Sequence, residues 1–438
     1  MARATFSFPA DFLWGTATAA HQVEGGNTNN DWWAWEQAGR TQSPSGLACN
    51  WWDLPTALAD LDRAADLGTN AHRLSLEWSR IEPEPSVFDE DAIAQYRALL
   101  EGMHGRGLQP MVTLHHFTNP RWLVEKGDFQ SDVVVDYFQR YTKKVVEKLG
   151  DLIPHWITFN EPIVYFYMRH MAKVFPPPQD GVGWAAGLRG LRYMLAAHAA
   201  AYEAIKSQYP HAQVGVAKQF RPFEAWPNGN ALDKWWARRI SWLFNDVWMQ
   251  AMHTGRLGWP LGRGRIRGLA GTFDFVGINY YTRNFVRFPK LETNQWPEGT
   301  PLSDDAYGEI YPRGIYWSIQ QALSYKKPIF ITENGLPDSD DKNRSAFIIT
   351  HLHQIWHAIS FNYPVMGYYH WSLTDNFEWE RGWSQRFGLY ELNPETQERT
   401  LRDSGRLYGE IAHARAITTP MIERYAIHLV PQLLPGRK

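Results

Sequence analysis

The sequence predicts an α/β fold, namely a single (β/α)8 barrel of the TIM type that spans residues 1–438. Eight short apolar or β-branched segments alternate with long amphipathic segments, and no Gly/Ser-rich linker separates them. Most of the short segments are almost continuously apolar, which is typical of parallel strands covered by helices on both faces. Consecutive βα units without a linker therefore favour one closed barrel over several domains.

The predicted strands and helices follow each other in regular order. The strands cover residues 12–17, 71–76, 109–114, 155–159, 213–217, 273–278, 328–332 and 365–369. The helices cover residues 53–67, 89–106, 131–149, 185–208, 231–253, 313–325, 345–361 and about 401–417. In the first helix, Leu54, Leu58 and Leu61 recur every three or four positions, and Gly68 follows as a stop signal. A doubly wound open sheet is the alternative, but no glycine-rich phosphate-binding loop follows an early strand.

Composition and charge narrow the class of protein. The formal net charge of −2 gives no overall field that would favour nucleic acid or an anionic membrane. The single cysteine, Cys49, rules out an intrachain disulfide, and the first residues lack the apolar stretch of a signal peptide. No run of about 18 apolar residues predicts a membrane span, so we expect a soluble, cytoplasmic protein.

Tryptophan is unusually frequent, with 22 residues beside 20 tyrosines and 22 phenylalanines. An indole ring offers a flat apolar face and one N–H donor, which suits the apolar C–H face and hydroxyl rim of a sugar. A large aromatic core accounts for most of these residues equally well. The count therefore only raises the expectation of a carbohydrate ligand.

Polar or aromatic side chains stand at the end of nearly every predicted strand. They are Gln22 after the first strand, Arg73 in the second, His116 and Phe117 after the third, Asn160 and Glu161 after the fourth, Asn279 and Tyr280 after the sixth, Glu333 after the seventh and Trp371 after the eighth. In a (β/α)8 barrel the carboxyl ends of all strands meet at one face, where the βα loops build active sites. The longest irregular stretches, about 22–52, 284–312 and 374–400, follow strands one, six and eight. The sequence therefore predicts one site at this face, with elaborated βα loops.

The residue types at these strand ends suit catalysis by carboxylates. Glu161 and Glu333 end two apolar strands, and an arginine, amides and aromatic residues accompany them. Glycoside hydrolysis needs such a pair, because one carboxyl protonates the leaving oxygen while the other attacks or activates water. A metal site is the weaker interpretation, because His353 and His357 share a predicted helix but have no third ligand near them in sequence. We therefore predict no metal and no cofactor.

Six motifs strengthen this interpretation. They are FLWGTATAAHQVEGG (12–26), TFNEP (158–162), GINYYT (277–282), ITENG (331–335), HWSLTDNFEW (370–379) and RFGLY (386–390). Together they resemble the signatures of glycoside hydrolase family 1, the β-glucosidase-like enzymes, from about residue 8 to about residue 414. TFNEP is similar to the acid/base motif of that family, and ITENG is similar to its nucleophile motif. The resemblance implies a (β/α)8 barrel and hydrolysis of β-linked glycosides with retention.

The resemblance also implies a role for each matching residue. Glu333 would be the nucleophile, supported by Arg73 and a hydrogen bond from Tyr280, and Glu161 would be the general acid/base. Asn160 would hold the sugar 2-hydroxyl, and Asn279 would support the catalytic pair. The implied substrate contacts are Gln22, His116, Phe117, Trp371, Glu378, Trp379 and Phe387, with Trp371 as the floor of the sugar site. Retention further predicts that the two carboxyl groups lie about 5–5.5 Å apart, rather than about 6.5–9.5 Å.

Several positions depart from the family pattern. Phe117 and Thr118 stand where the family usually has a tryptophan and often an aspartate, so the sugar 3-hydroxyl is expected to lose a donor. Gly308 replaces a tryptophan of the leaving-group platform, which predicts a wider or differently built leaving-group site. Residues 255–268 hold four arginines and form either a solvated loop or a site for an anionic leaving group. Leu336 and Pro337 after ITENG are also unusual, without a functional interpretation.

Three alternative functions use a similar barrel. A 6-phosphoglycosidase would carry a small polar residue in place of the pair Glu378–Trp379, and a carboxylate there repels phosphate. A non-catalytic binding protein would lack one of the two catalytic glutamates. A transglycosylase shares every residue named and differs in whether water or a sugar intercepts the glycosyl-enzyme. We expect a small-molecule β-glycoside or oligosaccharide as substrate, with glucose, galactose or fucose as the glycone, and no nucleic-acid partner.

Overall fold

The centre of the molecule is a closed barrel of eight parallel strands in chain order. The computed structural model describes residues 4–177, 181–290 and 295–434. The barrel strands are β1 (Leu13–Ala17), β2 (Ala71–Ser75), β3 (Gln109–His115), β4 (His155–Asn160), β5 (Gln213–Gln219), β6 (Phe275–Asn279), β7 (Ile329–Asn334) and β8 (Val365–His370). β8 pairs with β1 and closes the barrel. The predicted (β/α)8 architecture and its eight strands are confirmed.

Helices surround the barrel, and all but the last of them lie between successive strands. They are α1 (Leu54–Asp66), α2 (Glu90–Gly105), α3 (Val134–Leu149), α4 (Trp184–Gln208), α5 (Ala231–Asn245), α6 (Val247–Thr254), α7 (Arg313–Ala322), α8 (Arg344–Ser360) and α9 (Asp403–Ala414). Shorter helices include Ala20–Val23, Asp31–Gln37, Trp78–Ile81, Arg121–Glu125, Pro162–Tyr167, Thr419–Tyr425 and Val430–Leu433. In the described ranges, no helix is long and apolar enough to cross a membrane.

In the part of the chain that the structure describes, four pairs of short strands lie outside the barrel. Three pairs are antiparallel: Thr5–Ser7 with Ala416–Thr418, Arg256–Leu257 with Gly264–Arg265, and Tyr390–Leu392 with Arg399–Leu401. The fourth pair, Phe223–Ala225 with Asn284–Val286, is parallel and joins the loops that follow β5 and β6. These pairs tie loops and termini to the barrel without adding to its sheet.

The predicted single helix over residues 231–253 is wrong, because the structure ends α5 at Asn245 and begins α6 at Val247. The Asn245 side chain accepts a hydrogen bond from the Arg221 backbone N–H at 2.9 Å and donates one to the Arg221 carbonyl at 2.9 Å. These bonds fix the end of α5 to the loop after β5. The chain changes direction at Asp246, which lies between the two helices.

Side chains of the barrel strands alternate between two apolar layers. The barrel interior contains Ala17, Ala71, Met111, Ile157, Ala217, Phe275, Phe330 and Tyr369. The outward-facing side chains pack against the helices and form a much larger core, to which Trp14, Leu74, Val112, Trp156, Val214, Val216, Ile278 and Tyr368 belong. Because each strand alternates with period two, the same strands fill the barrel and hold the helices.

Candidate active site

A cavity of about 720 Å³ opens at the carboxyl ends of the barrel strands. Its volume fits a sugar ring with an attached leaving group. The lining includes nine of the predicted site residues: Gln22, His116, Phe117, Asn160, Glu161, Glu333, Trp371, Glu378 and Trp379. Arg73 and Asn279 are fully buried behind this lining and hydrogen-bond to it. Barrel closure thus brings together side chains that are far apart in the sequence.

Glu333, near the end of β7, is held by a donor at each carboxylate oxygen. The Arg73 guanidinium donates from Nη1 to Oε1 at 2.5 Å, and the Tyr281 hydroxyl donates to Oε2 at 2.6 Å. Arg73 is completely buried, so its charge acts on this carboxylate through a medium of low dielectric constant. The two contacts fix the orientation of the carboxylate and compensate its charge.

Glu161 follows β4 and has a different environment. Its backbone is in the left-handed region (φ 46°), which redirects the side chain, and Pro162 starts the next short helix. Asn279 donates a hydrogen bond from Nδ2 to Glu161 Oε1 at 2.8 Å. Burial, and then the negative charge of Glu333, raise the pKa of Glu161 to about 8. Glu161 therefore carries a proton at neutral pH, whereas Glu333 faces a fixed cation.

Two amides connect these carboxyl groups. Asn160 Oδ1 accepts hydrogen bonds from Arg73 at 2.7 Å and from Asn279 at 3.1 Å. The Asn160 amide nitrogen therefore donates to His116 Nε2, which lies 3.1 Å away. With Nε2 as an acceptor, the His116 ring carries its proton on Nδ1. Burial, and then the charge of Arg73, hold the pKa of His116 well below its usual range, so the ring is neutral.

Gln22 and Glu378 form another part of the cavity wall. Gln22 donates from Nε2 to the Phe377 carbonyl at 2.7 Å and to Glu378 Oε2 at 3.1 Å. Its Oε1 is buried without a hydrogen-bond partner in the described part of the chain. Burial, and then the charges of Glu380 and Glu333, raise the pKa of Glu378 to about 8. This end therefore presents an unsatisfied amide oxygen and a carboxyl group to a ligand.

Aromatic rings form much of the remaining wall. The His116 ring stacks on Trp371, with an interplanar angle of 25°, and on Trp379, with an angle of 21°. Phe117 meets the Trp379 ring edge-on, with centroids 5.3 Å apart. Phe117 (φ 71°) and Trp379 (φ 49°) both adopt left-handed backbone conformations, as Glu161 does. Three residues that line the cavity thus have a backbone conformation that L-residues rarely adopt.

The predicted contact between Tyr280 and Glu333 is wrong. The Tyr280 hydroxyl instead donates to the Tyr311 carbonyl at 2.6 Å, outside the barrel, and its neighbour Tyr281 reaches Glu333. The reason is strand alternation: Asn279 points into the site, so Tyr280 points outward and Tyr281 returns to the side of Asn279. The motif GINYYT contains two adjacent tyrosines, and its residue types alone do not show which of them faces Glu333. The alternation of side chains along a strand could have identified Tyr281.

Phe387 does not line the cavity, contrary to its predicted contact with substrate. Its ring packs against Tyr281 and Tyr307, with centroid distances of 6.1 Å and 5.4 Å. Phe387 therefore supports two residues that do line the cavity. Its effect on a ligand is indirect.

The departures from the family pattern lie at different depths. Phe117 lines the cavity and has no N–H donor, while the Thr118 hydroxyl donates to Glu77 at 3.0 Å, within a buried hydrogen-bond network. Gly308 is buried beneath the wall, where an added Cβ would lie 2.6 Å from Thr282. The preceding residue, Tyr307, forms the wall instead. A differently built leaving-group site at Gly308 therefore stays a prediction.

The four arginines of residues 255–268 are absent from the described cavity lining. This segment includes the short hairpin between α6 and β6, so it belongs to the connection that leads into a strand rather than to a βα loop. Its placement gives no support to binding of an anionic leaving group by these arginines. Arg256, Arg263 and Arg265 are all exposed, which agrees with the prediction of a solvated loop.

His353 and His357 take part in aromatic packing on α8. His353 meets Phe6 edge-on at a centroid distance of 4.7 Å, and His357 stacks on Tyr316 at 5.1 Å. Across the residues that the structure describes, no group of three or more His, Cys, Asp or Glu side chains is arranged to hold a metal ion.

Several cavity residues were not predicted, and all of them except Tyr281 come from segments without a motif. They are Gln219, Arg221, Phe244, Tyr281, Trp296, Tyr307 and Arg381. They belong to the end of β5, to α5 and to the loops that follow β5, β6 and β8. Only Tyr281 had a signal, namely strand alternation. The others depend on how distant loops fold over the barrel.

Tyr281→Phe is expected to lower kcat/KM by about ten- to a hundredfold, because Glu333 loses one of its two donors. Tyr280→Phe is the matched control. It breaks a bond to the Tyr311 carbonyl outside the cavity and is expected to lower the free energy of unfolding by about 1 kcal/mol, with activity retained. Steady-state kinetics and thermal unfolding of both variants check this. Equal activity losses in the two variants would contradict the placement of Tyr281.

Comparisons with known proteins agree with this geometry. The family profile described as Glycosyl hydrolase family 1 matches residues 4–417. A protein named beta-galactosidase from Pyrococcus woesei is 31% identical, over 95% of this chain and 99% of the relative. Beta-glucosidase A from Thermotoga maritima is 30% identical, over 92% of this chain and 97% of the relative.

Solved structures show the same similarity. The beta-glycosidase from Pyrococcus horikoshii is 36% identical with a TM-score of 0.88, over 96% of this chain and 98% of that chain. The family 1 b-glucosidase from Thermotoga maritima is 28% identical with a TM-score of 0.88, over 94% of this chain and 99% of that chain. Since sequence and fold agree over nearly the full length of each chain, the protein belongs to glycosyl hydrolase family 1 and is a β-glycosidase.

Proposed function

We propose that the enzyme hydrolyses terminal, non-reducing β-D-glycosyl residues by double displacement through a covalent glycosyl-enzyme. The observation that carries this proposal is the contrast between two buried carboxyl groups in one cavity. Arg73 and Tyr281 hold Glu333 as a compensated carboxylate, whereas burial keeps a proton on Glu161. A retaining glycosidase needs one group of each kind. In this proposal the whole chain acts as one catalytic domain.

In the first step, a Glu333 oxygen attacks the anomeric carbon of the substrate. The glycosidic C–O bond breaks, and Glu161 gives its proton to the leaving oxygen. The products are a glycosyl ester of Glu333 and the free alcohol. Esterification removes the negative charge of Glu333, which is one of the causes of the raised pKa of Glu161.

In the second step, Glu161 acts as a base. Its carboxylate takes a proton from water while the water oxygen attacks the anomeric carbon. The ester bond breaks, and Glu333 returns as a carboxylate beside Arg73. Two inversions at the same carbon give a product with the β configuration of the substrate.

The other cavity residues position the sugar. Asn160 lies between the two carboxyl groups, where its amide meets the 2-hydroxyl. His116 offers its Nδ1–H, and Gln22 offers its unpaired Oε1. Trp371 forms the floor, while Glu378 and Trp379 bind hydroxyls at the far end. Hydrogen bonds to the 2-hydroxyl that tighten in the transition state contribute to catalysis.

The substrate is proposed to be a glucoside or galactoside, because relatives that match nearly the whole chain are named for both activities. A 6-phosphoglycoside fits poorly, because Glu378 and Glu380 would face its phosphate. The proposed location is the cytoplasm, which cell fractionation tests.

Kinetics on a panel of 4-nitrophenyl β-glycosides, with the anomer of the first product read by proton NMR, tests the proposal. We expect hydrolysis of the β-glucoside, the β-galactoside or both, with the β anomer formed first. Inactivity against the whole panel would favour a binding protein, and an initial α anomer would contradict double displacement. A main product with a second sugar attached would favour transglycosylation.

Glu378→Ala is expected to lower kcat/KM for the preferred β-glycoside by about a hundredfold, because sugar hydroxyls lose their acceptor and Gln22 loses a partner. Glu380→Ala is the control, since Glu380 also lines the cavity but is implied in no sugar contact. Kinetics on paired glucosides and galactosides measure both variants. A larger loss for Glu380→Ala than for Glu378→Ala would contradict the proposed sugar orientation.

A further inference from the structure

Thr332 stands directly before Glu333 in β7, and a β-bulge lets both side chains face the inside of the barrel. The register of β6 and β7 shifts by one residue before Asn279, which lies opposite Glu333. Thr332 is 0% exposed. Its methyl group fills the space that Gly277 leaves free, since a Cβ added to Gly277 would lie 2.9 Å from Thr332 Cγ2. The bulge and this packing aim the Thr332 hydroxyl at Asn279.

The Asn279 amide lies between the Thr332 hydroxyl and the Glu161 carboxyl. Thr332 Oγ1 is 2.7 Å from Asn279 Oδ1. On the other side of the amide, Asn279 Nδ2 is 2.8 Å from Glu161 Oε1 and 3.1 Å from Asn160 Oδ1. All four residues are buried. Direct hydrogen bonds therefore connect Thr332 to the proposed general acid through a single side chain.

The donors and acceptors along these contacts have one consistent assignment. The Arg73 guanidinium can only donate, so the Asn160 atom that it contacts at 2.7 Å is the amide oxygen. The Asn279 atom that faces this oxygen must be a donor, so it is Nδ2, which also donates to Glu161 Oε1. Asn279 Oδ1 is left facing Thr332, and the Thr332 hydroxyl therefore donates to it.

We propose that Thr332 is a positioning residue of the reaction: by holding the Asn279 amide, it keeps Glu161 Oε1 as an acceptor and leaves Oε2 to carry the proton for the leaving oxygen. This inference rests on the proposed role of Glu161. Without the hydroxyl, Asn279 Oδ1 would be buried and unsatisfied, and the amide would be held from one side only. The Glu161 carboxyl would then lose its fixed orientation, and proton transfer to the leaving oxygen would slow.

The test is kcat/KM of Thr332→Val for aryl β-glycosides whose leaving groups range from 2,4-dinitrophenolate to phenolate. Valine keeps the methyl group against Gly277 and removes the donor, so the variant is expected to fold. We expect kcat/KM to stay within about twofold of the wild-type value for the dinitrophenyl glycoside, which needs no acid in its first step. For the phenyl glycoside we expect a fall of about tenfold or more.

Two further variants of Thr332 keep the test decisive. Thr332→Ser retains the donor and is expected to restore most of the lost kcat/KM for the phenyl glycoside. Thr332→Ala also lacks the donor and carries the same expectation as Thr332→Val, with less bulk in the barrel. An equal fall for every leaving group, or no fall for any, would overturn the inference. A serine variant as slow as the valine variant would do the same.

Thr158→Val is the matched control, because Thr158 is also a fully buried threonine of a barrel strand. Its hydroxyl contacts Nδ1 of His198 at 2.6 Å, on the side of the helices. The other ring nitrogen, Nε2, donates to the Thr272 carbonyl, so the Thr158 hydroxyl is a donor as well. We expect Thr158→Val to lower Tm by about 2 °C and to leave kcat/KM unchanged for every leaving group.

Glu161→Ala separates this inference from the proposed function. Its kcat/KM is expected to depend on the leaving group in the same direction as that of Thr332→Val, and more strongly. If Glu161→Ala shows this dependence and Thr332→Val does not, only the inference about Thr332 fails. If Glu161→Ala shows no such dependence, the role of Glu161 and the inference both fail.

The double variant of Glu161→Ala and Thr332→Val measures whether Thr332 acts through Glu161. We expect its kcat/KM for the phenyl glycoside to stay within about twofold of the value for Glu161→Ala alone, because the group that Thr332 positions is already absent. A further fall as large as the one that Thr332→Val causes in the wild-type enzyme would show that Thr332 acts by another route and would overturn the inference.

Discussion

Glu333→Gly is expected to lower the rate of hydrolysis by on the order of 10⁵-fold or more, and added azide is expected to restore turnover with an α-glycosyl azide as product. The glycine leaves an anion-sized space beside Arg73 and Tyr281, both of which donate to Glu333 in the intact site. Azide can occupy this space and attack the anomeric carbon from the face that Glu333 uses. One inversion then converts the β-glycoside into an α product.

Glu309→Gly is the control for this experiment. Glu309 is also buried and paired with an arginine, since Arg283 donates to it at 2.6 Å and 2.9 Å. It does not line the cavity, so its loss is expected to weaken folding without creating an azide-dependent reaction. Normal turnover by Glu333→Gly, or a β-glycosyl azide from it, would contradict the nucleophile assignment. NMR of the azide product decides between the outcomes.

Glu161→Ala is expected to separate the two chemical steps. For a substrate with a good leaving group, the first step needs little proton donation and stays fast, while the second step loses its base and slows by about 10²- to 10⁴-fold. For a poor leaving group, the first step slows as well. Pre-steady-state kinetics should show a burst of nitrophenolate, because the glycosyl-enzyme accumulates.

Added azide gives an independent readout for Glu161→Ala. The azide attacks the glycosyl-enzyme where water normally does, without needing a general base, and gives a β-glycosyl azide.

The wild-type enzyme should lose kcat/KM as the pH rises through about 8, because the first step requires protonated Glu161. If Glu161→Ala slows both steps equally for every leaving group, another residue must be the acid/base.

The barrel and the meeting of Glu161 and Glu333 in one cavity could be predicted because their signals are local. The apolar strands and the helices between them have distinct periodicities, and Glu161 and Glu333 lie within short motifs. Four strands are longer than predicted, because they continue for one or two residues and end at His115, Asn160, Gln219 and Asn334. Polar strand-end residues carry no apolar pattern, yet their backbones continue the barrel hydrogen bonding.

Other features could not be predicted because they depend on distant contacts. Tyr307 belongs to a loop whose position over the barrel is set by packing against Tyr281 and Phe387. The break at Asp246 depends on the bonds between Asn245 and the Arg221 backbone. Strand alternation could have corrected the choice of Tyr280 over Tyr281.

In the proposed mechanism, the reaction passes through a covalent bond between the sugar and Glu333. The most direct measurement is mass spectrometry of peptides from enzyme inactivated by a 2,4-dinitrophenyl 2-deoxy-2-fluoro-β-glycoside, which forms the glycosyl-enzyme and hydrolyses it slowly. We predict one sugar per chain, attached at Glu333 in ITENG. Attachment at Glu161 or another residue, or consumption of the reagent without any labelled peptide, would contradict the claim.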